Sequence, residues 1–209
     1  GSGNVAIFAI EKIHQLGGTV VGCSDSDGFV HDPKGIDLDL LKQIKLTERG
    51  RVADYATRRS SSATYAEGRG IWSIPCQVAL PCATQNELNA DDARSLIDSG
   101  CLVVAEGANM PTTPDAVRMF QDAGVLFAPG KAANAGGVAT SALEMQQNAS
   151  RDSWTFEHVE ERLADIMASI HHQCAATADE YAAPGNYVAG ANIAGFLRVS
   201  KAMTALGLI

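Results

Sequence analysis

The sequence predicts an α/β fold, in which a mostly parallel sheet carries helices on both faces and is followed by C-terminal helices. Short apolar runs alternate with longer segments of helical periodicity, a pattern typical of a parallel sheet covered on both sides. From about Ala132 onward, the chain shows helical patterns only. We therefore expect one domain over residues 1–150 and C-terminal helices over residues 151–209 that pack on it.

The individual elements follow from periodicity and from the residues that end them. Gly17 and Gly100 end two helices in the manner of a left-handed cap, and Pro81 ends a strand. Thr113 suits the N-cap of a helix that has Pro114 at its first position. Helices are predicted at residues 4–16, 37–45, 51–58, 91–98, 113–124, 154–179 and 193–206, and strands at residues 19–23, 77–80, 101–105 and 125–127.

Composition excludes several classes of function. Apolar residues make up 46% of the 209 residues and charged ones 19%, so the chain can bury a core and is not disordered. Its net charge of −8 repels nucleic acids and anionic membranes overall. No apolar run approaches the ~20 residues of a membrane span, and the first residues do not resemble a signal peptide. We expect a cytoplasmic protein without nucleic-acid or membrane partners.

No metal site is expected. The five cysteines are widely spaced without a C-x-x-C pair, which favours reduced thiols in a core. His171 and His172 are adjacent, so on a helix they point in directions about 100° apart and cannot ligate one metal as an i, i+4 pair would. The apolar stripe along residues 154–179 is interpreted as packing.

The first helix opens with Gly1-x-Gly3-x-x-Ala6, which has the form of a dinucleotide-binding fingerprint. In that fingerprint, small residues bring the diphosphate against the amides of a helix N-terminus. Asp25 follows at about the distance of the acid that binds the ribose, although Asp25 and Asp27 can also form a β-turn ending at Gly28. A Rossmann-like, doubly wound sheet is therefore expected, with the strand that normally precedes the glycines missing upstream.

Several long strings resemble the coenzyme-binding second domain of the glutamate dehydrogenase family. The resemblance extends over essentially the whole chain, and the strings are in the family's order. They are residues 1–6 (GSGNVA), 80–87 (LPCATQNE), 105–113 (AEGANMPTT), 127–141 (FAPGKAANAGGVATS), 186–188 (NYV) and 190–196 (GANIAGF).

The resemblance implies a role for each matched residue. The opening segment would hold the diphosphate, the loop after the strand at 77–80 would line the adenine–ribose and nicotinamide side, and the next loop would contact the nicotinamide end. The implied coenzyme-binding residues are Gly1, Ser2, Gly3, Asn4, Val5, Ala83, Thr84, Gln85, Ala108, Asn109 and Asn134. Val138 and Ser141 match substrate-contacting positions, with Ser141 bonding the distal carboxylate.

The choice of coenzyme depends on residues 24–26 and 44–55, which resemble those of the NADP-type bacterial enzymes. Asp25 alone would favour the free 2′-hydroxyl of NAD. Lys45 and Arg49 are four residues apart, so on a helix they would face one anion, and Ser26 could donate to it. NADP is the favoured cofactor, with NAD as the alternative.

The resemblance implies an NADP-dependent glutamate dehydrogenase, which interconverts L-glutamate with 2-oxoglutarate and ammonia, as a hexamer when intact. Its catalytic lysine and carboxylate belong to the family's first domain, so no catalytic residue is expected in this chain and the chain alone is expected to be inactive. The alternatives are an NAD-dependent enzyme, another amino-acid dehydrogenase such as one for leucine or phenylalanine, and a non-catalytic dinucleotide-binding module. An apolar substrate pocket would favour the second alternative, whereas Ser141 indicates a polar one.

Overall fold

The structure is a computed structural model that describes residues 1–181 and 183–207. Contacts between Cα atoms divide the chain into two compact units, residues 1–125 and residues 126–209. The boundary between these units lies after residue 125, whereas the sequence predicts that the coenzyme-binding domain ends at residue 150. The predicted boundary was drawn from expected coenzyme binding, and the observed one reflects the density of contacts. The last two residues of the predicted segment 151–209, and its residue 182, lie outside the described residues.

The first unit contains an antiparallel sheet that the sequence does not predict. Helix α1 (Asn4–Gln15) is followed by strands β1 (Gly22–Ser24), β2 (Gly28–His31) and β3 (Thr64–Glu67). The strand order is β1-β2-β3, and both pairs are antiparallel, with Cys23 opposite Val30 and Val30 opposite Tyr65.

The strand predicted at residues 19–23 was expected to pair in a parallel sheet. Strand β1 instead pairs antiparallel with β2, so the expected direction of pairing is wrong. The chain reverses immediately after β1, since the Asp25 amide donates to the Gly28 carbonyl at 2.9 Å. A tight turn of this kind joins antiparallel strands, whereas a parallel neighbour needs a crossover of a dozen or more residues.

The main core of this unit lies between α1, the antiparallel sheet and the helices that follow β2. These helices are α2 (Leu38–Lys42), which continues into a π-helical turn (Gln43–Thr47), and α3 (Val52–Arg58). Side chains from each element are buried together, including Ile7 of α1, Val30 of β2, Leu41 of α2 and Tyr55 of α3. The buried residues of α1 are Ala6, Ile7 and Ile10. The apolar face that the sequence predicts, with Val5, Phe8 and Leu16, is therefore wrong, because these three side chains are exposed.

The expected helix over residues 37–45 ends differently from the prediction. Glu48 donates its amide to the Gln43 carbonyl at 3.0 Å, five residues back, and Arg49 adopts a positive φ of 55°. The chain has left the helix before Arg49, so Lys45 and Arg49 do not share a helix face. The widened turn places an extra residue in the helix, and the i, i+4 geometry then no longer applies.

The remainder of the first unit follows the predicted order. Strands β4 (Val78–Ala79) and β5 (Val103–Ala105) are parallel, with Val78 opposite Val103 and Ala79 opposite Val104. Helix α4 (Ala90–Asp98) connects them, and α5 (Pro114–Asp122) follows β5. The predicted helix ends are confirmed by positive φ angles of 82° at Gly100 and 73° at Gly124. Thr113 is the N-cap residue of α5, but its side chain makes no capping hydrogen bond.

The second unit is helical after its first strand, as the sequence predicts. Strand β6 (Leu126–Ala128) leads into α6 (Gly130–Ala133), α7 (Gly136–Ser150), α8 (Phe156–Glu180) and α9 (Tyr187–Leu206). Helices α8 and α9 pack closely, since a Cβ atom placed on Gly190 would lie 2.0 Å from the Cys174 carbonyl oxygen. The apolar side chains along α8 were expected to pack against neighbours. Cys174 near the end of the helix is buried, whereas Phe156 at its start is 74% exposed.

Within residues 1–181 and 183–207, no helix is long and apolar enough to cross a membrane. The same part of the chain contains no group of three or more His, Cys, Asp or Glu side chains that could hold a metal ion.

Candidate functional site

A crevice of about 720 Å³ opens in the first unit and collects most of the predicted coenzyme residues. Three segments that are distant in sequence meet there: the start of α1, the end of β1 and the loop after β4. The crevice is lined by residues 1–5, 24–26, 68–72 and 82–87, together with Phe29 and Lys45.

The start of α1 presents its backbone to this crevice. Gly3 is the N-cap residue in an extended conformation, and no side chain caps the first amides of the helix. A Cβ atom on Gly3 would meet nothing within 4 Å, so the space in front of these amides is open. Because the first amides of a helix have no intrahelical partner and carry the positive end of its dipole, this opening suits an anion.

Gly1 is packed more tightly and connects the helix to its neighbours. Its nitrogen donates to the Ser24 hydroxyl at 3.0 Å, and a Cβ atom there would lie 3.1 Å from the Cys82 carbonyl oxygen. The two glycines therefore differ, because Gly1 allows close packing and Gly3 leaves open space. In the fingerprint, the second glycine is the one at which the pyrophosphate approaches the backbone, and Gly3 holds that position.

Asp25 lines the crevice and also holds the surrounding backbone. One carboxylate oxygen accepts from the Asp27 amide at 3.0 Å, and the other accepts from the Val52 amide at 2.9 Å and from Lys45 at 3.4 Å. Burial by itself raises the pKa of Asp25, but the two amides and the Lys45 charge outweigh it, so the pKa lies below its usual value. The turn through Gly28, which was the alternative interpretation of Asp25, is present as well.

The cations of this region are arranged differently from the predicted pair. Lys45 lines the crevice, donating to Asp25 and, at 3.0 Å, to the Gly50 carbonyl. Arg49 is exposed and does not line it. Instead, Arg51 donates to the Ser26 hydroxyl at 2.9 Å and pairs with Asp27 at 3.0 Å. Arg51 is the extended residue before α3 and does not itself line the crevice, and its contact with Ser26 leaves no mark in helical periodicity.

A second cavity of about 350 Å³ adjoins the crevice and shares Val5 and residues 82–85 with it. Its other lining residues are Gly107, Ala108 and Asn109, which follow β5. The Gly107 and Ala108 amides both donate to the Pro81 carbonyl at 3.0 Å, so the loops after the two parallel strands are joined directly. The structure thus brings Ala83, Thr84 and Gln85 together with Ala108 and Asn109, as expected of loops at the carboxyl ends of parallel strands.

The segment 68–72 contributes lining residues that the sequence analysis did not single out. Arg69 donates to the Glu87 carbonyl at 2.8 Å, and Trp72 donates its indole N–H to the same oxygen at 3.4 Å. The Glu87 carboxylate in turn accepts from the Ala83 amide at 2.8 Å. Gly68 and Gly70, on either side of Arg69, both adopt positive φ angles. The Gly-Arg-Gly-Ile-Trp string was the only signal in the sequence that this loop has a defined conformation.

The three remaining predicted residues lie in the second unit. Asn134 directly follows α6, while Val138 and Ser141 lie in α7. Val138 is 74% exposed, and the Ser141 hydroxyl donates to the Gly137 carbonyl four residues back at 3.3 Å. The roles of these three residues stay predictions.

Comparison with known proteins decides the family. Residues 1–207 match the model of the glutamate/leucine/phenylalanine/valine dehydrogenases. The chain belongs to this family. The glutamate dehydrogenase resemblance seen in the sequence is confirmed by relatives that are about half identical to the chain along its full length.

Three of these relatives illustrate the likeness. The chain is 57% identical to the NADP-specific glutamate dehydrogenase of Salmonella typhimurium, 55% identical to that of Escherichia coli, and 54% identical to the glutamate dehydrogenase of Bacteroides thetaiotaomicron. Each alignment covers 100% of this chain and 47% of the relative. The chain therefore spans about half the length of the curated family members that it matches.

Solved structures of the family share the fold. A Plasmodium falciparum glutamate dehydrogenase superimposes with a TM-score of 0.95 at 42% identity, covering 100% of this chain and 45% of that one. A second enzyme, Plasmodium falciparum glutamate dehydrogenase 2, gives 0.94 at 43% identity, with 99% and 46% covered. The α/β class predicted from the sequence is thereby confirmed.

Proposed function

We propose that this chain is the coenzyme-binding part of an NADP-dependent glutamate dehydrogenase. The observation that carries the proposal is the crevice, in which an uncapped helix start, the end of β1 and the loop after β4 converge. Several relatives that cover the whole chain are named NADP-specific glutamate dehydrogenases, which supports the same coenzyme here.

The lining residues fit a dinucleotide. The crevice and the cavity beside it, at about 720 and 350 Å³, are of the size found for small-molecule and cofactor sites. The open space in front of Gly3 is where a phosphate group would approach the backbone. No acidic residue occupies the first turn of α1, so nothing there repels an anion.

We assign roles along the crevice on this basis. The first amides of α1 would bind the diphosphate, while Ser26, Lys45 and Arg51 would bind the 2′-phosphate by charge-assisted hydrogen bonds. Asp25 would position Lys45 and the start of α3 rather than serve only a ribose hydroxyl, because its oxygens already accept from Lys45 and the Val52 amide.

The nicotinamide end would lie at the second cavity, beside Ala108 and Asn109. Asn134 would pair with the carboxamide, which needs both a donor and an acceptor. Val138 and Ser141 would contact the substrate side chain. When bound, the coenzyme supplies hydride transfer, and this chain's residues hold it in place.

The complete protein would interconvert L-glutamate with 2-oxoglutarate and ammonia. The acid–base groups of that reaction would come from outside this chain, which spans about 47% of its relatives. We further propose a hexameric assembly, a doubly wound arrangement of the coenzyme-binding domain over residues 1–150, and inactivity of the chain on its own.

Titration of the full-length protein that carries this chain, with NADP and with NAD, tests the assignment. We expect Arg51→Ala to weaken NADP binding about tenfold or more, since a hydrogen bond between charged groups contributes about 1.5–3 kcal/mol. NAD binding should change little, because NAD lacks the 2′-phosphate that Arg51 would contact.

The matched control is Arg118→Ala, which removes an exposed arginine that pairs with Asp115 on α5, away from the crevice. This variant should bind both coenzymes like the parent protein. Equal weakening of NADP and NAD by Arg51→Ala would refute the role of Arg51, and the absence of binding by the parent would refute the proposed function itself.

A further inference from the structure

Cys76 and Cys101 lie side by side where the parallel strands β4 and β5 begin. The register of the strands pairs Val78 with Val103 and Ala79 with Val104, and it extends backwards to place Cys76 opposite Cys101. The Gln77 carbonyl accepts from the Leu102 and Val103 amides at 2.9 and 3.1 Å. The two segments therefore remain hydrogen-bonded up to the residue beside each cysteine.

The two thiols interact with each other across the strands. This interaction lowers the pKa of Cys101 and raises that of Cys76, and the Cys101 sulfur lies 3.7 Å from the Gln77 carbonyl oxygen. Directly opposed residues on neighbouring parallel strands point to the same side of the sheet, which explains why the sulfurs meet. Neighbouring strands are about 4.8 Å apart, and disulfides typically join Cα atoms about 4.4–6.8 Å apart.

The pair differs from the other cysteines in acidity and, at Cys76, in exposure. Cys76 is partly exposed beside Cys101, which is buried, as are the single thiols Cys23, Cys82 and Cys174. Interaction with the Cys76 thiol lowers the pKa of Cys101 to about 7, whereas burial raises the pKa of Cys23 to about 11. The pair therefore offers a thiolate near neutral pH together with a second thiol in contact with it.

We propose that Cys76 and Cys101 are a site of reversible oxidation, at which a peroxide converts the two thiols into a disulfide. The Cys101 thiolate attacks one peroxide oxygen, the O–O bond breaks, and with one proton taken up a sulfenic acid and water form. The Cys76 sulfur then attacks the Cys101 sulfur, the S–O bond breaks, and a second water leaves with the Cys76 proton. Overall, two thiols and one hydrogen peroxide give one disulfide and two waters.

The disulfide would close a loop that contains part of the crevice. Residues 77–100 lie between the two cysteines and include residues 82–87, which line the crevice. Closing a loop restricts the unfolded chain more than the folded one, so oxidation should raise the thermal stability of the protein. The inference rests on strand register and thiol contact, and it does not depend on the coenzyme proposal.

Peptide mapping of the full-length protein that carries this chain, after exposure to hydrogen peroxide under native conditions, provides the test. We expect a cross-linked peptide that joins Cys76 to Cys101, lighter by about 2 Da than the two reduced peptides together, and its disappearance after treatment with dithiothreitol. The rate of its formation should increase as the pH rises through about 7.

Variants separate this site from general oxidation. Cys174→Ser, which changes a buried single cysteine in α8, should leave the cross-link unchanged, and Cys76→Ser should abolish it. Oxidation of Cys101 to sulfinic acid without a cross-link, or no reaction of either thiol, would overturn the proposal. Because the parent protein gives the decisive result, a poorly folding Cys76→Ser variant would not affect the conclusion.

Discussion

At the scale of single residues, the Tyr55 hydroxyl holds two polar groups of the first unit in place by hydrogen bonds. It accepts from the Asp37 amide at 2.8 Å and donates to the Asp32 carboxylate at 3.1 Å, and both Tyr55 and Asp32 are fully buried. Arg59 lies 3.3 Å from the same carboxylate. One hydroxyl thus joins the loop after β2 to the start of α2 and to the middle of α3.

We predict that Tyr55→Phe destabilises the protein by about 1–3 kcal/mol, because a buried amide and a buried carboxylate each lose a partner. Chemical denaturation of the full-length protein measures the change. The control is Tyr65→Phe on β3, whose hydroxyl makes no hydrogen bond among residues 1–181 and 183–207 and whose loss should change stability little. Equal effects of the two substitutions would contradict this role of Tyr55.

Several residues that line the crevice could be predicted from sequence because their positions follow from local pattern. Gly1, Gly3 and the residues after β4 and β5 were found this way, since a glycine fingerprint and strand ends are visible along the chain. Arg51 and Arg69 were not found, because each reaches the site through a turn with non-helical backbone angles. Such turns depend on neighbouring packing more than on the residues within them.

At the scale of elements, the contact between α8 and α9 depends on a missing side chain. Gly190 lies in the first turns of α9, and a Cβ atom there would lie 2.0 Å from the Cys174 oxygen and 2.9 Å from its carbonyl carbon. These are backbone atoms of α8, which cannot rotate away as a flexible side chain can. The two helices could accept a methyl group only by separating.

We predict that Gly190→Ala costs about 1–3 kcal/mol or more of stability, the range seen when extra atoms are forced into a packed interior. Thermal unfolding of the full-length protein is the measurement. Gly195→Ala on the same helix is the matched control, since a Cβ atom there meets nothing within 4 Å. The control should be neutral or up to about 1 kcal/mol more stable, because alanine favours helix over glycine. A tolerated Gly190→Ala would contradict the close contact.

Most helices could be predicted from sequence, but the antiparallel sheet could not. Helical periodicity and the glycines that follow it identified α1, α4 and α5 to within a residue or two. Strands β2 and β3 are only four residues each, too short to show a period, and their pairing joins segments more than 30 residues apart. Pairing over that distance is decided by tertiary contacts.

At the scale of the whole molecule, acid should weaken the fold through its buried and partly buried carboxylates. Burial raises the pKa of Asp32, but hydrogen bonds from Ser62, Lys34, Tyr55 and Arg59 outweigh it, so its pKa lies below the usual value, as does that of Asp25. A carboxyl group with a lowered folded-state pKa binds protons more weakly in the folded than in the unfolded state. The stability it contributes is complete above the unfolded pKa and is lost as the pH falls through the folded one.

We predict that the free energy of unfolding of the full-length protein decreases as the pH falls below about 5. Asp25→Asn should be less stable than the parent at pH 7, and the difference should shrink in acid, where the parent carboxylate is protonated. Asp122→Asn, at the exposed end of α5, is the control and should follow the parent curve. A stability difference for Asp25→Asn that does not vary with pH would contradict the charge argument.

The π-helical turn at Gln43–Thr47 has a consequence for comparing members of the family. It contains one residue more than an ordinary turn, and in an α-helix each residue advances the rotation by about 100°. Deleting a single residue before Lys45 would therefore swing its ammonium group away from Asp25 without changing the composition of the segment. A one-residue gap in an alignment at this segment thus redirects the Lys45 charge even where every aligned residue is unchanged.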